Sequence, residues 1–373
     1  MKVGLAQYNL LYDIYSWPNI ILAFCGGVLI DRVFGIRKGG IIFSFIVMIS
    51  QVVLAIGALT NQFWLMVVGR FIFAFGGESL SVVQNTYLVK WFNGKELNFV
   101  FGFTLSFARV GSTVTMNLMK PIYNSIDRHV QGHTCLGITM LIATVFTLFS
   151  WACAFILAYF DRRRDEYSRL ISRSSEISLQ AAGAEPNGKV EETVKITHIL
   201  VLPLGLWIMC FVCVAYYTTV FPFVSNAQLF FISKYKLSPQ HADVCNSLIY
   251  MISIVMSPVC GVLVDQTGRN IMWMIISALA ALLEHFLLAF TMVTPYFLMV
   301  IAGVSYSLLA SCFWPCVSYI VPNKVMATAY GVVTSVQNLG MALVYLYIGD
   351  LIENAGYFVL EIHFIAWLSG KAS

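Results

Sequence analysis

The sequence predicts an all-α membrane protein, with ten full transmembrane helices and a partial eleventh in two pseudo-symmetric bundles. Three observations carry that prediction. Of the 373 residues, 59% are hydrophobic and 11% charged, whereas soluble domains carry about 25% charged residues. The apolar residues gather into runs of the ~20 residues a helix needs to cross a hydrocarbon core of ~30 Å. Two patterns in the first half of the chain recur, in the same order, in the second.

In chain order the spans are 8–30, 40–59, 63–89, 98–120 and 135–160. A polar stretch, 161–198, opens DRRRDEY and is rich in Ser, Glu and Gly, so it reads as a solvated, flexible linker. The spans resume at 200–223, 244–264, 271–292, 296–320 and 327–349. A last apolar piece, 357–368, is too short to cross alone. The expected units are a first bundle over 1–160, the linker over 161–198 and a second bundle over 199–373.

Loop charges predict the sides. One set of loops holds Arg32, Arg37, Lys38, Lys90, Lys95, Arg162, Arg163, Arg164, Arg169, Arg173, Lys189, Lys195, Arg269 and Lys324. The other holds only Lys120, Arg128, Lys234 and Lys236. The positive-inside bias therefore puts the first set, and the linker, in the cytosol. The net charge of +4 is loop bias and gives no case for nucleic acid. The nine cysteines lie mostly in or beside apolar runs, where they read as small buried hydrophobes, Cys210-Phe-Val-Cys213 included.

The repeat is specific. GVLIDRVFGIRK at 27–38 matches GVLVDQTGR at 261–269, pairing Gly27 with Gly261 and Asp31 with Asp265. FGFTLSFARVG at 101–111 matches YGVVTSVQNLG at 330–340, pairing Gly102, Ser106 and Gly111 with Gly331, Ser335 and Gly340. Repeated helix bundles around a linker mark secondary transporters, whose substrate site lies between the repeats near the midplane. Glycine lets helix backbones approach closely.

Arg70, Glu78 and Arg109 sit inside apolar spans, where ionisable groups cost a few kcal/mol or more and are usually retained for a ligand, a partner or a pathway. Glu78 precedes Val89 by 11 residues and Arg109 follows Asn98 by 11, so both lie roughly 16 Å deep on adjacent spans. They serve either as a mutual salt bridge or as two ligand contacts.

Gly27-x-x-x-Asp31-Arg32-x-x-Gly35-x-Arg37-Lys38 resembles the signature loop of the major facilitator superfamily, with one residue more after the Asp-Arg pair. Gly69-Arg70 followed by Gly76-Gly77 resembles its fourth-helix pattern. YSWPNIILAFCGGVLIDRVFGIR, GRFIFAFGGESLSVVQNTYLVKWFNGKELNFVFG, SFARVGSTVTMNLM and TAYGVVTSVQNLG together resemble its lysosomal dipeptide uniporter branch. The resemblance implies a lysosomal multi-pass membrane protein. It also implies export of dipeptides to the cytosol by alternating access, and a single-span accessory subunit, glycosylated lysosomal membrane protein. The ten spans correspond to helices two to eleven of the superfamily's twelve, with the first helix expected to be missing before Met1 and the last cut short after Ser373. That expectation puts transport competence of the shortened chain at issue.

By the same resemblance Glu78 and Arg109 hold the amino and carboxyl ends of a small zwitterionic peptide. The chemistry is apt, since a carboxylate takes an ammonium and a guanidinium grips a carboxylate with two hydrogen bonds. The repeat places Asn338 opposite Arg109. Asn338 and Gln337 can hydrogen-bond the peptide or glue helices. Trp314, before Pro315, and Tyr216 are candidate aromatic walls or ordinary packing. Asp31 and Arg32, with Gly27, Gly261 and Asp265, read as a gate or as a charged turn that only sets topology, and the resemblance implies that the aspartate caps a helix of the opposite bundle. Arg70 is a structural or coupling residue, two turns before Glu78. Glu284, beside His285, is either a local buried pair or a proton carrier. No phosphate loop, metal cluster or nucleophile–base pair is visible, so neither enzyme chemistry nor a cofactor is expected. Two other readings fit the same residues: a proton-coupled organic-anion carrier, and a non-transporting scaffold or chaperone for a glycosylated partner.

Overall fold

The computed structural model describes residues 11, 14, 17–92, 94, 96–181 and 202–370. Most of the start of the first expected span lies outside them, as do Lys95, Lys189, Lys195 and the 198/199 boundary. Among the described residues the elements are helices, with no strand.

The first half comprises α1 (Asn19–Leu29), α2 (Gly35–Leu59), α3 (Phe63–Trp91), α4 (Leu97–Asp127) and α5 (His133–Ala181). The second comprises α6 (Leu204–Tyr235), α7 (Pro239–Thr267), α8 (Asn270–Phe290), α9 (Pro295–Ile320) and α10 (Met326–Leu368). A π-helical turn, Ile30–Phe34, separates α1 from α2. There the chain reverses at Gly35, whose φ of 69° lies in the left-handed region that side chains disfavour. Among the described residues the ten helices fall on the ten expected spans, with α1 covering 11 residues of the first, and the partial eleventh continues α10 beyond a kink at Gly356, φ 81°. Prolines open α7 and α9, where the missing N–H costs nothing.

One expectation needs correction. The segment from 161 was read as solvated linker, yet α5 continues unbroken to Ala181. The reason is local. The Asp161 side chain is fully buried and ion-paired to Arg37 Nη2 at 3.0 Å and Lys90 Nζ at 2.8 Å. Trp91 Nε1 donates to the same carboxylate at 3.1 Å. One turn later Arg162 and Glu166 pair at 2.9 Å with helical i,i+4 spacing. The helix is pinned to α2 and α3 where the bundle ends, and carries its own charge pairs beyond.

Within the first half α2 packs on α3 and α5; within the second, α9 packs on α7 and α8. The halves meet along two crossings, α1 on α10 and α4 on α7. Each crossing joins one member of a repeat pair to a member of the other.

Candidate functional site

The crossings explain the paired glycines. A Cβ at Gly27 would collide with the Ala327 carbonyl oxygen, and one at Gly331 would lie 2.6 Å from the Ala23 carbonyl oxygen. At the other crossing, a Cβ at Gly261 would lie 2.6 Å from the Asn98 carbonyl oxygen, and one at Gly102 would strike the Ser257 carbonyl. Backbone therefore meets backbone at both places, as close helix packing in a bilayer requires. The paired serines follow the same symmetry. Ser335 Oγ accepts from the Phe24 N–H at 3.0 Å, and Ser106 Oγ donates to the Ile254 carbonyl at 2.5 Å. The third pair breaks it: Gly340 abuts Val214, while a Cβ at Gly111 would meet open space.

Beyond the glycines each crossing ends in an aspartate. Asp31 accepts from the backbone N–H groups of Ala327 at 3.3 Å and Thr328 at 2.6 Å, in the first turn of α10. Asp265 accepts from Asn98 N at 3.1 Å, Asn98 Nδ2 at 2.7 Å and Phe99 N at 2.7 Å, in the first turn of α4. A carboxylate at a helix start satisfies orphan N–H groups and meets the positive end of the helix dipole. These contacts tie the two halves together at the end of the molecule that carries both aspartates. Among the described residues Arg32 donates no hydrogen bond to either aspartate, although its charge lies near Asp31, and its Nη2 is buried without a hydrogen-bond partner.

Above these contacts, between the halves, lies a cavity of about 580 Å³. Glu78, Ser81, Gln84 and Asn85 of α3 line one side, with Asn19 of α1 and Thr104, Leu105 and Ala108 of α4. Trp314 of α9 and Thr334, Gln337, Asn338 and Tyr345 of α10 line the other. Asn19 Nδ2 donates to Glu78 Oε1 at 3.5 Å. Asn19 Oδ1 and Asn338 Nδ2 are buried without hydrogen-bond partners, a costly state for polar atoms unless a ligand or water completes them. Trp314 is held by its own bond, Nε1 donating to the Tyr217 hydroxyl at 3.1 Å.

Glu78, Trp314, Gln337 and Asn338 thus share the cavity. Arg109 stands at its border, one residue beyond Ala108. Its guanidinium lies over the Tyr250 ring at 4.4 Å and donates through Nη2 to the Tyr306 hydroxyl at 2.5 Å. Tyr216 is elsewhere: it is 2% exposed, with its hydroxyl 3.0 Å from Ser305 Oγ inside the second bundle. Its neighbour Tyr217 is the one that reaches Trp314. Arg70 donates through Nε to the Leu11 carbonyl at 3.3 Å. Glu284 is buried beside His285, away from the cavity. Sequence reasoning passed over Asn19, Gln84 and Tyr250, whereas Tyr306 was, with Tyr216 and Tyr217, a candidate aromatic. Asn85 could have been found from Glu78, since seven residues on a helix return to nearly the same face.

Residues 2–345 match the family described as the Major Facilitator Superfamily. The chain belongs to the major facilitator superfamily. Among its relatives, Lysosomal dipeptide transporter MFSD1 of Homo sapiens is 48% identical over 371 residues, covering 99% of this chain and 77% of that one. The protein of the same name in Danio rerio is 46% identical over 370 residues, covering 99% and 77%. Of solved superfamily structures, FucP in the outward conformation aligns with a TM-score of 0.69 at 13% identity, covering 100% of this chain and 92% of that one. A bacterial homologue of ferroportin in an outward-facing state aligns at 0.74 and 10% identity, covering 99% and 89%. These structures share the fold alone. As a major facilitator superfamily protein, the chain is a multi-pass membrane transporter and not an enzyme.

Proposed function

We propose that the protein is a facilitative carrier that moves dipeptides from lysosome to cytosol by alternating access. The observation that carries the reading is the cavity shared by the two halves, which joins the Glu78 carboxylate to the partnerless Asn19 Oδ1 and Asn338 Nδ2. A dipeptide is a zwitterion that reaches at most ~7 Å. Glu78 takes its ammonium, and Asn338 and Gln337 serve its amide. Arg109 leaves the Tyr306 hydroxyl to grip its carboxylate, and Trp314 walls the side chain. The relatives' name supports the substrate class and compartment, and the basic loops support a cytosolic position for the Asp31/Asp265 end. In this reading the seal at that end makes the described state lumen-open, and its release with closure opposite delivers the peptide.

The proposal includes a heavily glycosylated single-span partner, glycosylated lysosomal membrane protein. It rests on the branch resemblance and on the absence of any Asn-x-Ser/Thr acceptor in this chain. Co-purification of the two from lysosomal membranes is expected, and their separation in mild detergent would remove that part.

The test of transport is dipeptide counterflow in proteoliposomes holding the full chain. Saturable exchange is expected, without accumulation driven by a pH gradient; gradient-driven accumulation overturns the facilitative mechanism. Glu78→Gln should weaken uptake of free-amine peptides more than of N-acetylated ones. Arg109→Lys should weaken binding by about tenfold, because a point charge cannot reproduce the forked grip. Equal losses in the first case, or unchanged affinity in the second, remove the corresponding contact.

A further inference from the structure

Away from the cavity, the second bundle buries three ionisable side chains together. Glu284 and His285 lie on α8 and are 3% and 1% exposed; Glu361, on α10 beyond the Gly356 kink, is 0% exposed. His285 Nδ1 is 2.8 Å from Glu361 Oε2, a hydrogen bond, whereas His285 Nε2 is 3.9 Å from Glu284 Oε2, which is beyond one. The rings of Phe223 and Phe364 cover the imidazole with centroids at 5.1 and 5.3 Å. The second oxygen of each carboxylate, Glu284 Oε1 and Glu361 Oε1, is buried without a partner.

Among the described residues, neighbouring positive charge reaches the cluster from the Glu361 side and not from the Glu284 side. From α6, Lys234 and Tyr235 face Glu361, and Tyr216 faces Glu284. Lys234 directs its ammonium to the Leu288 and Ala289 carbonyls, capping the last turn of α8. The α9 helix packs on α8 but contains no Asp, Glu, Lys, Arg or His. On α10 itself, His363 is bonded to the Tyr347 hydroxyl at 2.8 Å.

Two ionised carboxylates beside one imidazolium leave a net negative charge in hydrocarbon, which costs a few kcal/mol or more. One further proton makes the cluster neutral. His285 and Glu361 are at hydrogen-bond distance and suit an ion pair. Among the described residues Glu284 receives no hydrogen bond, its Oε1 being buried without a partner and its Oε2 3.9 Å from His285 Nε2, and an unsatisfied neutral carboxyl is far less costly than an unsatisfied carboxylate. We propose that Glu284, His285 and Glu361 form a proton-binding site in the second bundle, with the proton resident on Glu284 beside a His285–Glu361 ion pair. The site is distinct from the substrate cavity and does not depend on what that cavity carries. Loss of the proton sets two carboxylates against each other across one imidazole and loosens the segment after Gly356 from α8. The bound proton is therefore a clamp between these two elements.

The test uses the full chain in lipid nanodiscs, melted from about pH 5 to about pH 9, the range in which buried carboxyls titrate. The wild-type Tm is expected to fall by several degrees towards high pH, while Glu284→Gln, which keeps the shape but cannot ionise, holds a flat Tm. Parallel curves for the two proteins overturn the site. If the variant fails to fold, infrared spectra of wild type and Glu78→Gln with ¹³C-labelled glutamate decide. A label-shifted band of a protonated carboxyl is expected in both, and its absence from either overturns the assignment.

Discussion

The two crossings between the halves share one backbone plan and differ in how their side chains complete it. At both, glycine lets helix meet helix and an aspartate caps the partner helix. Asp265 collects three hydrogen bonds, and Asn98, which supplies two, is itself held by Asn270 Nδ2 at 2.6 Å. Asp31 takes two backbone N–H groups, the longer at 3.3 Å, with the Thr328 side chain also facing it, and beside it Arg32 leaves Nη2 without a partner. The first half spends its charge elsewhere, on Arg37, Lys90 and Asp161, which tie α2, α3 and α5 to each other rather than to the second half. Symmetry of the backbone thus leaves room for unequal capping, with Asn270 bracing the Asp265 crossing.

The largest effect is expected from Gly102→Leu, which drives a side chain into the Ser257 carbonyl. Overpacking of about 1–3 kcal/mol should shift the seal towards open and cut counterflow at least about tenfold, with spin labels on the Asp31 and Asp265 turns moving apart. Unchanged label distances would remove the close approach from the account. Next, Asp265→Asn should destabilise the sealed state by about 1–3 kcal/mol, the range for losing hydrogen bonds to a charged group, and Asp31→Asn by less. An equal or reversed ranking in the same label measurement breaks the comparison. Asp161→Asn should lower the Tm by several degrees and leave the label distances alone, because its partners all lie within the first half. The smallest effect tests the broken glycine pair. Gly111→Ala should change the Tm by less than the equivalent of about 0.5 kcal/mol, while Gly340→Ala, with a Cβ 2.7 Å from Val214 Cγ1, should cost more.

Much of this was legible in the sequence because the repeat marks backbone geometry. Gly27, Gly261, Gly102, Gly331, Asp31 and Asp265 recur because both crossings impose the same demand, and the helices they belong to follow from apolar length. Glu78 was legible as a carboxylate in oil. Tyr216 was not separable from Tyr217. Adjacent residues on a helix point about 100° apart, and α6 is apolar on all sides, so no stripe marks the inward face. Asp161 was hidden in DRRRDEY, where its neighbours read as solvated charge. Its burial depends on Arg37 and Lys90, distant in sequence. Glu361 lay in a piece too short to span, and only the continuation of α10 through Gly356 brings it to His285. Composition reports what a segment contains; it does not report which long-range neighbour makes a charge tolerable.

The brace at Asp161 has a mechanical consequence. The 49 residues of α5 make a rod of ~74 Å, more than twice the thickness of a hydrocarbon core. Clamped to α2 and α3 at Asp161, the ~30 Å beyond it follow the first bundle as a needle follows a dial. A tilt of about 0.1 radian moves the tip by ~3 Å, so whatever grasps the distal chain can sense, or resist, the rocking of the whole half.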